Sequence, residues 1–357
     1  MKILLAASIY PPDPGGPALH AKRFHEWLDQ QVVENEVVIL SKYCLLPKGL
    51  RHLVYIWKLW KRAKGASIIY AYDALGAGLP ALLIAKLRRK KLIIRIGGDI
   101  PWERAADEGL TDLSMNEWYT AGEHKKNFNF KLSRFVMRRA TALITHSYFL
   151  SNLFINRYEV LKERITVIPN PLPTRIRKNG EYKKPRTIIF ASRLVTYKNL
   201  AFVLDAFSRF LPSYPDVKFI IMGDGPERER LEARTRAFDL EQQVTFTGSI
   251  SQKKVIEETS ACYVGLAPAL TEFNPNYILE CLSFGKPFLI SNENGLPFKV
   301  SEIFLFDPRS QTQFEEKLRY LLSAEGYQEA LEEVREIDFR MSWEEVLEKN
   351  LELLESL

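Results

Sequence analysis

The chain has 357 residues, 46% of them hydrophobic and 26% charged, with a net charge of +6; this is too long for one ordinary core and rich enough in apolar material for two. Its three cysteines share no metal-ligand spacing, which excludes a disulfide scaffold and a cysteine-ligated zinc site, and no apolar run reaches the length of a membrane span. The charge is divided: residues 1–180 carry 29 Lys and Arg against 15 Asp and Glu, a net of +14, and the remainder carries −8, so the first half is suited to an anionic partner.

In chain order, the opening run Lys2–Ser8 reads as a buried strand rather than a signal peptide, because Pro11-Pro12-Asp13-Pro14-Gly15-Gly16 follows it without a small-residue cleavage site. A cytoplasmic protein is expected. Further strands are expected at Glu36–Leu40, Ser67–Tyr72, Lys91–Ile96, Ala142–Thr145 and Ile165–Ile168, with helices at Pro17–Gln30, Gly49–Lys64 and Leu79–Arg88 between them. Pro169-Asn170-Pro171-Leu172-Pro173 then opens a basic, Pro- and Gly-containing stretch that reads as a linker.

The alternation restarts with a strand at Thr187–Ala191 and a helix at Leu200–Leu211. A strand at Val217–Met222, a helix at Glu227–Phe238 and a strand at Val244–Thr247 come next. A helix at Lys253–Ser260, a strand at Cys262–Ala267, a helix at Pro275–Phe284 and a strand at Pro287–Ile290 complete the pattern. Strand–helix alternation on this scale means parallel sheets covered on both faces. The expected fold class is therefore α/β, with two doubly wound Rossmann-like domains facing a cleft. The first domain is expected over 1–172, a linker over 173–186, the second domain over 187–338, and a C-terminal helix over 339–357 that packs back on the first domain.

The segment Thr271–Glu280 carries the sharpest chemical pattern. Asn274 suits an N-cap and Pro275 a first helical position. The backbone N–H groups of Asn276, Tyr277 and Ile278 would then point out of a helix start, where an anion is favoured. Glu272 and Glu280 flank that start, and a carboxylate accepts two hydrogen bonds from a vicinal diol. Two acids around an anion site suit a sugar nucleotide. After the first strand of the second domain come Arg193 and Lys198, placed to neutralise a leaving diphosphate without a metal. No Asp-x-Asp pair or His/Cys cluster indicates a metal, and no cofactor is expected.

Several of these pieces fall in a recognisable order. Pro11–Gly16 is followed by Val167-Ile168-Pro169-Asn170, by Ser192-Arg193-Leu194 with Lys198, and by Gly223-Asp224-Gly225-Pro226. Phe246-Thr247-Gly248 and the spaced pair Glu272…Glu280, leading into Gly285-Lys286-Pro287, complete the set. The chain resembles glycosyltransferase family 4, with the two-domain GT-B fold, over nearly its whole length. The resemblance implies a retaining, metal-independent transfer from a nucleotide-sugar donor to a glycan or lipid-linked acceptor, of the kind used in polysaccharide biosynthesis. It gives Gly15 and Gly16 a close approach to the donor phosphates. Gly223 belongs to the same donor-binding set, and the turn Gly248, Ser249 and Ile250 would border the base. Arg193 and Lys198 would bind the diphosphate, Glu272 the donor sugar, and Glu280 the ribose. Many relatives carry a histidine after the fourth strand; here Asp99 stands in that loop and is taken as its substitute in catalysis.

Two further readings come from the residues. Gly76-Ala77-Gly78 before a helix imitates a dinucleotide fingerprint, which leaves an NAD-dependent oxidoreductase as the alternative. The basic half leaves a non-catalytic nucleotide-sugar or nucleic-acid binder, although no nucleic-acid module is present and none is expected as a partner. Gly49–Lys64 mixes Leu53, Trp57 and Trp60 with Lys58, Lys61 and Arg62, which suggests contact with an anionic membrane surface, peripheral on the inner face of the plasma membrane.

Overall fold

The computed structural model describes residues 1–13, 15–172 and 186–357, with the backbone alone at Lys48. The expected linker at 173–186 lies outside the described residues, except for Arg186, which already belongs to a strand.

The first half runs β1 (Ile3–Ala7), α1 (Gly16–Gln30), β2 (Asn35–Ile39), α2 (Lys48–Arg62), β3 (Ile68–Ala71), α3 (Gly78–Arg88) and β4 (Lys91–Ile96). It continues through α4 (Ile100–Asp107), α5 (Met115–Thr120), α6 (Phe128–Met137), β5 (Ala142–Thr145), α7 (Tyr148–Asn156) and β6 (Ile165–Val167). The second half runs β7 (Arg186–Ala191), α8 (Leu200–Phe210), β8 (Val217–Met222), α9 (Arg228–Ala237), β9 (Val244–Gly248), α10 (Gln252–Ala261), β10 (Val264–Ala267) and α11 (Asn276–Ser283). It ends with β11 (Phe288–Ser291), β12 (Leu305–Phe306), α12 (Gln311–Leu322), α13 (Ala324–Glu336) and α14 (Trp343–Ser356).

The chain divides into two units, each built on a six-stranded parallel sheet. In the first, the order is β2-β1-β3-β4-β5-β6. Every residue of β1 and β3 is buried, as the continuous apolar runs require for strands covered on both faces. The end of the chain belongs to this unit: Tyr70 on β3 donates to Asn350 on α14 at 2.6 Å, and Asn350 is wholly buried. In the second unit the order is β12-β11-β10-β7-β8-β9. The stripe of Leu200, Val203, Leu204 and Phe207 faces its core, with α8 covering the sheet.

One stretch sits differently from its sequence neighbours. Residues Trp102–Ala121 group with the second unit, although they lie inside the span 1–172. The cause is packing. Trp102 has no exposed surface, donates its indole N–H to the Leu113 carbonyl, and packs against the rings of Tyr197 and Phe273. Arg309 fixes the same stretch through Glu117. Trp102 is thus a core residue.

Cys262 and Cys281 are buried free thiols, and Cys44 is an exposed one. Among the described residues no helix is long and apolar enough to cross a membrane, and no His, Cys, Asp and Glu group is placed to hold a metal.

Candidate functional site

The site in the second unit is built at the C-terminal ends of its central strands, where ligands of open parallel sheets bind. After β7 the chain continues through Ser192–Val195. Ser192 N–H donates to the Met222 carbonyl and Leu194 N–H to the Asp224 carbonyl. The facing loop can lie this close only because it is glycine. Gly223 has φ +137°, and a Cβ there would overlap the Ser192 carbonyl oxygen; one at Gly225 would overlap that of Leu194. Gly223 N–H donates to the Gly248 carbonyl at 3.0 Å, which ties in the turn through Ser249 and Ile250. This scaffold holds Arg193 exposed at the strand end, its guanidinium donating to the Tyr197 hydroxyl at 3.4 Å.

A single helical turn, Thr196–Lys198, then presents Lys198 just ahead of α8. Its ammonium meets the Glu272 carboxylate at 2.6 Å, with both side chains almost wholly buried. The other Glu272 oxygen accepts from Asn274 N–H at 3.3 Å. The Glu272 backbone is held on both sides, its N–H donating to the Glu293 carbonyl and its carbonyl accepting from Gly295 N–H.

The helix start differs by one residue from the sequence expectation. Pro275 has ψ 52°, which is not helical, so it occupies the cap position and α11 opens at Asn276. Asn274 does not cap; its side chain accepts from Asn170, whose amide also reaches Asn276 at 3.0 Å. The Tyr277 and Ile278 side chains are buried, so only their backbone N–H groups can serve a ligand. Gly265 on β10 lets α11 approach the sheet, since a Cβ there would overlap the Cys281 sulfur. Glu280 follows on that helix. Burial pushes its carboxyl up to about 6, and a hydrogen bond from Gln252 at 2.9 Å opposes the rise.

Arg193, Lys198, Glu272, Asn276, Tyr277, Ile278, Glu280, Gly223, Gly248, Ser249 and Ile250 therefore all belong to the second unit, on loops at its strand ends and on α11. Gly15, Gly16 and Asp99 belong to the first unit. Gly15 precedes α1 with φ +127°, a conformation that favours glycine, and Gly16 is the first residue of that helix. Asp99 is 1% exposed and accepts a hydrogen bond from the Tyr158 hydroxyl at 3.0 Å. The glycines of the dinucleotide-like stretch are also explained by packing. Asp73 accepts from Ala77 N–H at 3.0 Å beside the start of α3, and a Cβ at Gly78 would overlap the Asp73 carbonyl.

Sequence reasoning missed Glu293. Its carboxylate accepts from Thr271 Oγ1 at 2.6 Å, from Ser114 Oγ at 3.0 Å and from Asn116 N–H at 3.1 Å, and so anchors the loop that carries Glu272. No local pattern announces it, because two partners lie far away in sequence. A cavity of about 590 Å³ lined by residues including Leu110, Asn199, Arg230 and Arg309 contains none of the predicted site residues.

Lys198 and Glu272 thus meet just ahead of a helix start, with Arg193 on the preceding loop and Glu280 further along the helix, groups of the chemistry that binds a diphosphate and hydroxyls. Comparison with known proteins matches this region. Residues 173–336 fit the family described as Glycosyl transferases group 1, and residues 9–175 fit Glycosyltransferase Family 4. This chain is a family 4 glycosyltransferase. The relatives include the phosphatidylinositol N-acetylglucosaminyltransferase gpi3 subunit of Schizosaccharomyces pombe, 27% identical over 53% of this chain and 41% of the relative. A glycosyltransferase of Haemophilus influenzae is 27% identical over 63% of this chain and 70% of its own length. The match thus spans less than half of the Schizosaccharomyces pombe relative. Among solved structures, Anabaena HepE in complex with UDP-glucose superposes with a TM-score of 0.75 at 18% identity over 100% of both chains. Sucrose-phosphate synthase of Thermosynechococcus elongatus superposes with a TM-score of 0.78 at 15% identity over 99% and 98%. The fold of this glycosyltransferase is therefore GT-B, two Rossmann-like α/β domains.

Proposed function

We propose that this glycosyltransferase moves a sugar from a nucleotide-diphosphate donor to the hydroxyl of a lipid-linked or growing glycan, in the cytoplasm, with retention of configuration and without a metal. One observation carries the reading: the buried Lys198–Glu272 pair at the mouth of α11, on the loop system that also presents Arg193. In the reaction the bond from the anomeric carbon to the β-phosphate oxygen breaks, and the acceptor oxygen bonds to that carbon on the same face. The acceptor's proton passes to the departing phosphate oxygen, so no protein nucleophile is required. Arg193, Lys198 and the first N–H groups of α11 stabilise the charge that grows on the diphosphate. Glu272 would accept from the donor sugar's hydroxyls while orienting Lys198, and Glu280 would accept from the ribose. Gly15 and Gly16 keep the role of backbone approach to phosphate that the family resemblance gives them.

The test is a thermal-shift screen of UDP-, GDP-, ADP- and dTDP-sugars, with NADH in parallel. A ligand that binds only the folded state raises its apparent stability. A nucleotide sugar that raises the midpoint, and fails to in Arg193→Ala, supports the proposal. A shift with NADH alone overturns it. UDP-glucose is the first donor to try, because HepE was solved with it. The anomeric coupling of the product by NMR reports retention, and unchanged turnover in chelator reports metal independence.

A further inference from the structure

The first unit carries a surface of exposed apolar and basic side chains outside the groups assigned to the donor. Three of its helices lie side by side on one face of the sheet. The connections β2 to β3, β3 to β4 and β4 to β5 all step in the same direction across the strand order, and right-handed crossovers put α2, α3 and α6 on the same side. Each helix keeps large apolar side chains on its outer face. On α2, Leu53 is 64% exposed, Trp57 48% and Trp60 36%, while Tyr55 and Leu59 are wholly buried on the opposite side. On α3, Leu87 is exposed, and on α6, Phe128 and Phe135.

Cations cover the rings. Lys61 Nζ lies 3.9 Å from the centre of Trp57, Arg88 Cζ 3.6 Å from that of Trp60, and Arg139 Cζ 3.9 Å from that of Phe135. The Arg88–Trp60 contact joins α3 to α2. The three helices hold nine Lys and Arg residues and no Asp or Glu. Acids from other elements answer only part of this charge: Glu36 pairs with Arg62, and Glu159 with Arg134 and Arg138. Among the described residues, Lys58, Lys61, Lys86, Arg88 and Arg139 make no ion pair.

We infer that the α2–α3–α6 face seats this enzyme on an anionic lipid bilayer, with Leu53, Trp57 and Trp60 at acyl-chain depth and the cations at the level of the lipid phosphates. Broad apolar patches of this kind are uncommon on proteins that stay in water. Aromatic rings beside Lys and Arg, with aliphatic residues between them, fit a headgroup–acyl boundary. A nucleic acid would leave Leu53 and Leu87 without an apolar partner, and a second copy of the chain would set this uncompensated positive face against itself.

The full chain is floated with vesicles of phosphatidylcholine alone and of phosphatidylcholine mixed with phosphatidylglycerol, without nucleotide. Binding to the mixed vesicles only, lost in high salt and accompanied by a blue shift of tryptophan emission, is the expected result. Leu53→Glu/Trp57→Glu should reduce the bound fraction by at least about tenfold, while the thermal shift with donor nucleotide stays as in the parent. That shift shows the variant folded and is read apart from the vesicles, so this inference and the donor reading fail independently. Equal binding to neutral vesicles, no binding to either, or wild-type binding by the double variant would each overturn it. So would a dimer abolished by the same variant without vesicle binding, or duplex DNA captured in place of vesicles.

Discussion

Glu280→Gln separates the cost of a buried carboxylate from its use. Burial raises this carboxyl from 4.5 to about 6. The folded state therefore holds the proton more tightly than the unfolded state between those two values, and stability falls as pH rises through that window. Above about pH 6 the full penalty is present. At about 1.4 kcal/mol per pH unit it amounts to roughly 2 kcal/mol, or nearer 1 once solvent screening at this partly buried position is allowed for. Glutamine keeps the shape and can still accept from Gln252, but it carries no charge. The ligand-free variant should gain about 1–2 kcal/mol at pH 8, a midpoint rise of about 2–6 °C for a unit of this size, and should gain nothing at pH 4. Nucleotide binding should move the other way. Hydrogen bonds from the ribose to a charged acceptor are worth about 1.5–3 kcal/mol, so affinity should drop roughly 10- to 100-fold. In the parent, affinity should decline as pH falls through about 6, and the variant should show no such step. Differential scanning fluorimetry and calorimetric titration at several pH values read both effects. A variant less stable than the parent at pH 8 would refute the electrostatic reasoning, and an unchanged dissociation constant would refute the ribose role.

Other substitutions report on the remaining parts of the site. Arg193→Ala, at an exposed position, should leave the unfolding free energy within about 1 kcal/mol of the parent yet cost about 10²–10³ in kcat, the loss expected for a group facing a leaving diphosphate; near-normal turnover would remove Arg193 from the mechanism. Lys198→Met strands the Glu272 carboxylate in the interior and should destabilise by about 3–5 kcal/mol, whereas Lys198→Met/Glu272→Gln should recover most of that loss without recovering activity. Chemical denaturation of the three proteins checks this ordering. Gly223→Ala combines an overlap with the Ser192 carbonyl and a left-handed φ, so soluble expression should collapse, while Gly285→Ala, with open space around its Cβ, should cost only the strain of its positive φ, about 1–2 kcal/mol.

The strand pattern was legible wherever periodicity is local. β4, β5 and β8 have the bounds read from their β-branched runs, and α8 shows the stripe at Leu200, Val203, Leu204 and Phe207 that its sequence spells out. The site loops were legible in kind, since Arg193, Lys198, Glu272 and Glu280 all fall at strand ends or on the helix that follows β10. The pairing of Lys198 with Glu272, 74 residues apart, was not legible, because only tertiary packing brings them together. Trp102–Ala121 is the larger surprise. The burial of Trp102 depends on Tyr197 and Phe273, and the anchoring of the stretch depends on Glu293 and Arg309, none of which a window around Trp102 contains. The start of α11 moved by one residue because Pro275 takes a non-helical ψ, a choice between two permitted backbone states that composition does not decide.

The way residues are shared between the units also limits how this protein can be taken apart. The polypeptide changes unit at 101–102, at 121–122, at 169–170 and again at 343–344. Cutting it once between residues 172 and 186 would leave an amino-terminal fragment with an unanchored tryptophan-bearing arm and with Tyr70 parted from Asn350. The carboxy-terminal fragment would have bare rings at Tyr197 and Phe273. Exchanging one whole unit of this enzyme would therefore take four junctions, and a single junction between 172 and 186 would part side chains that are packed together.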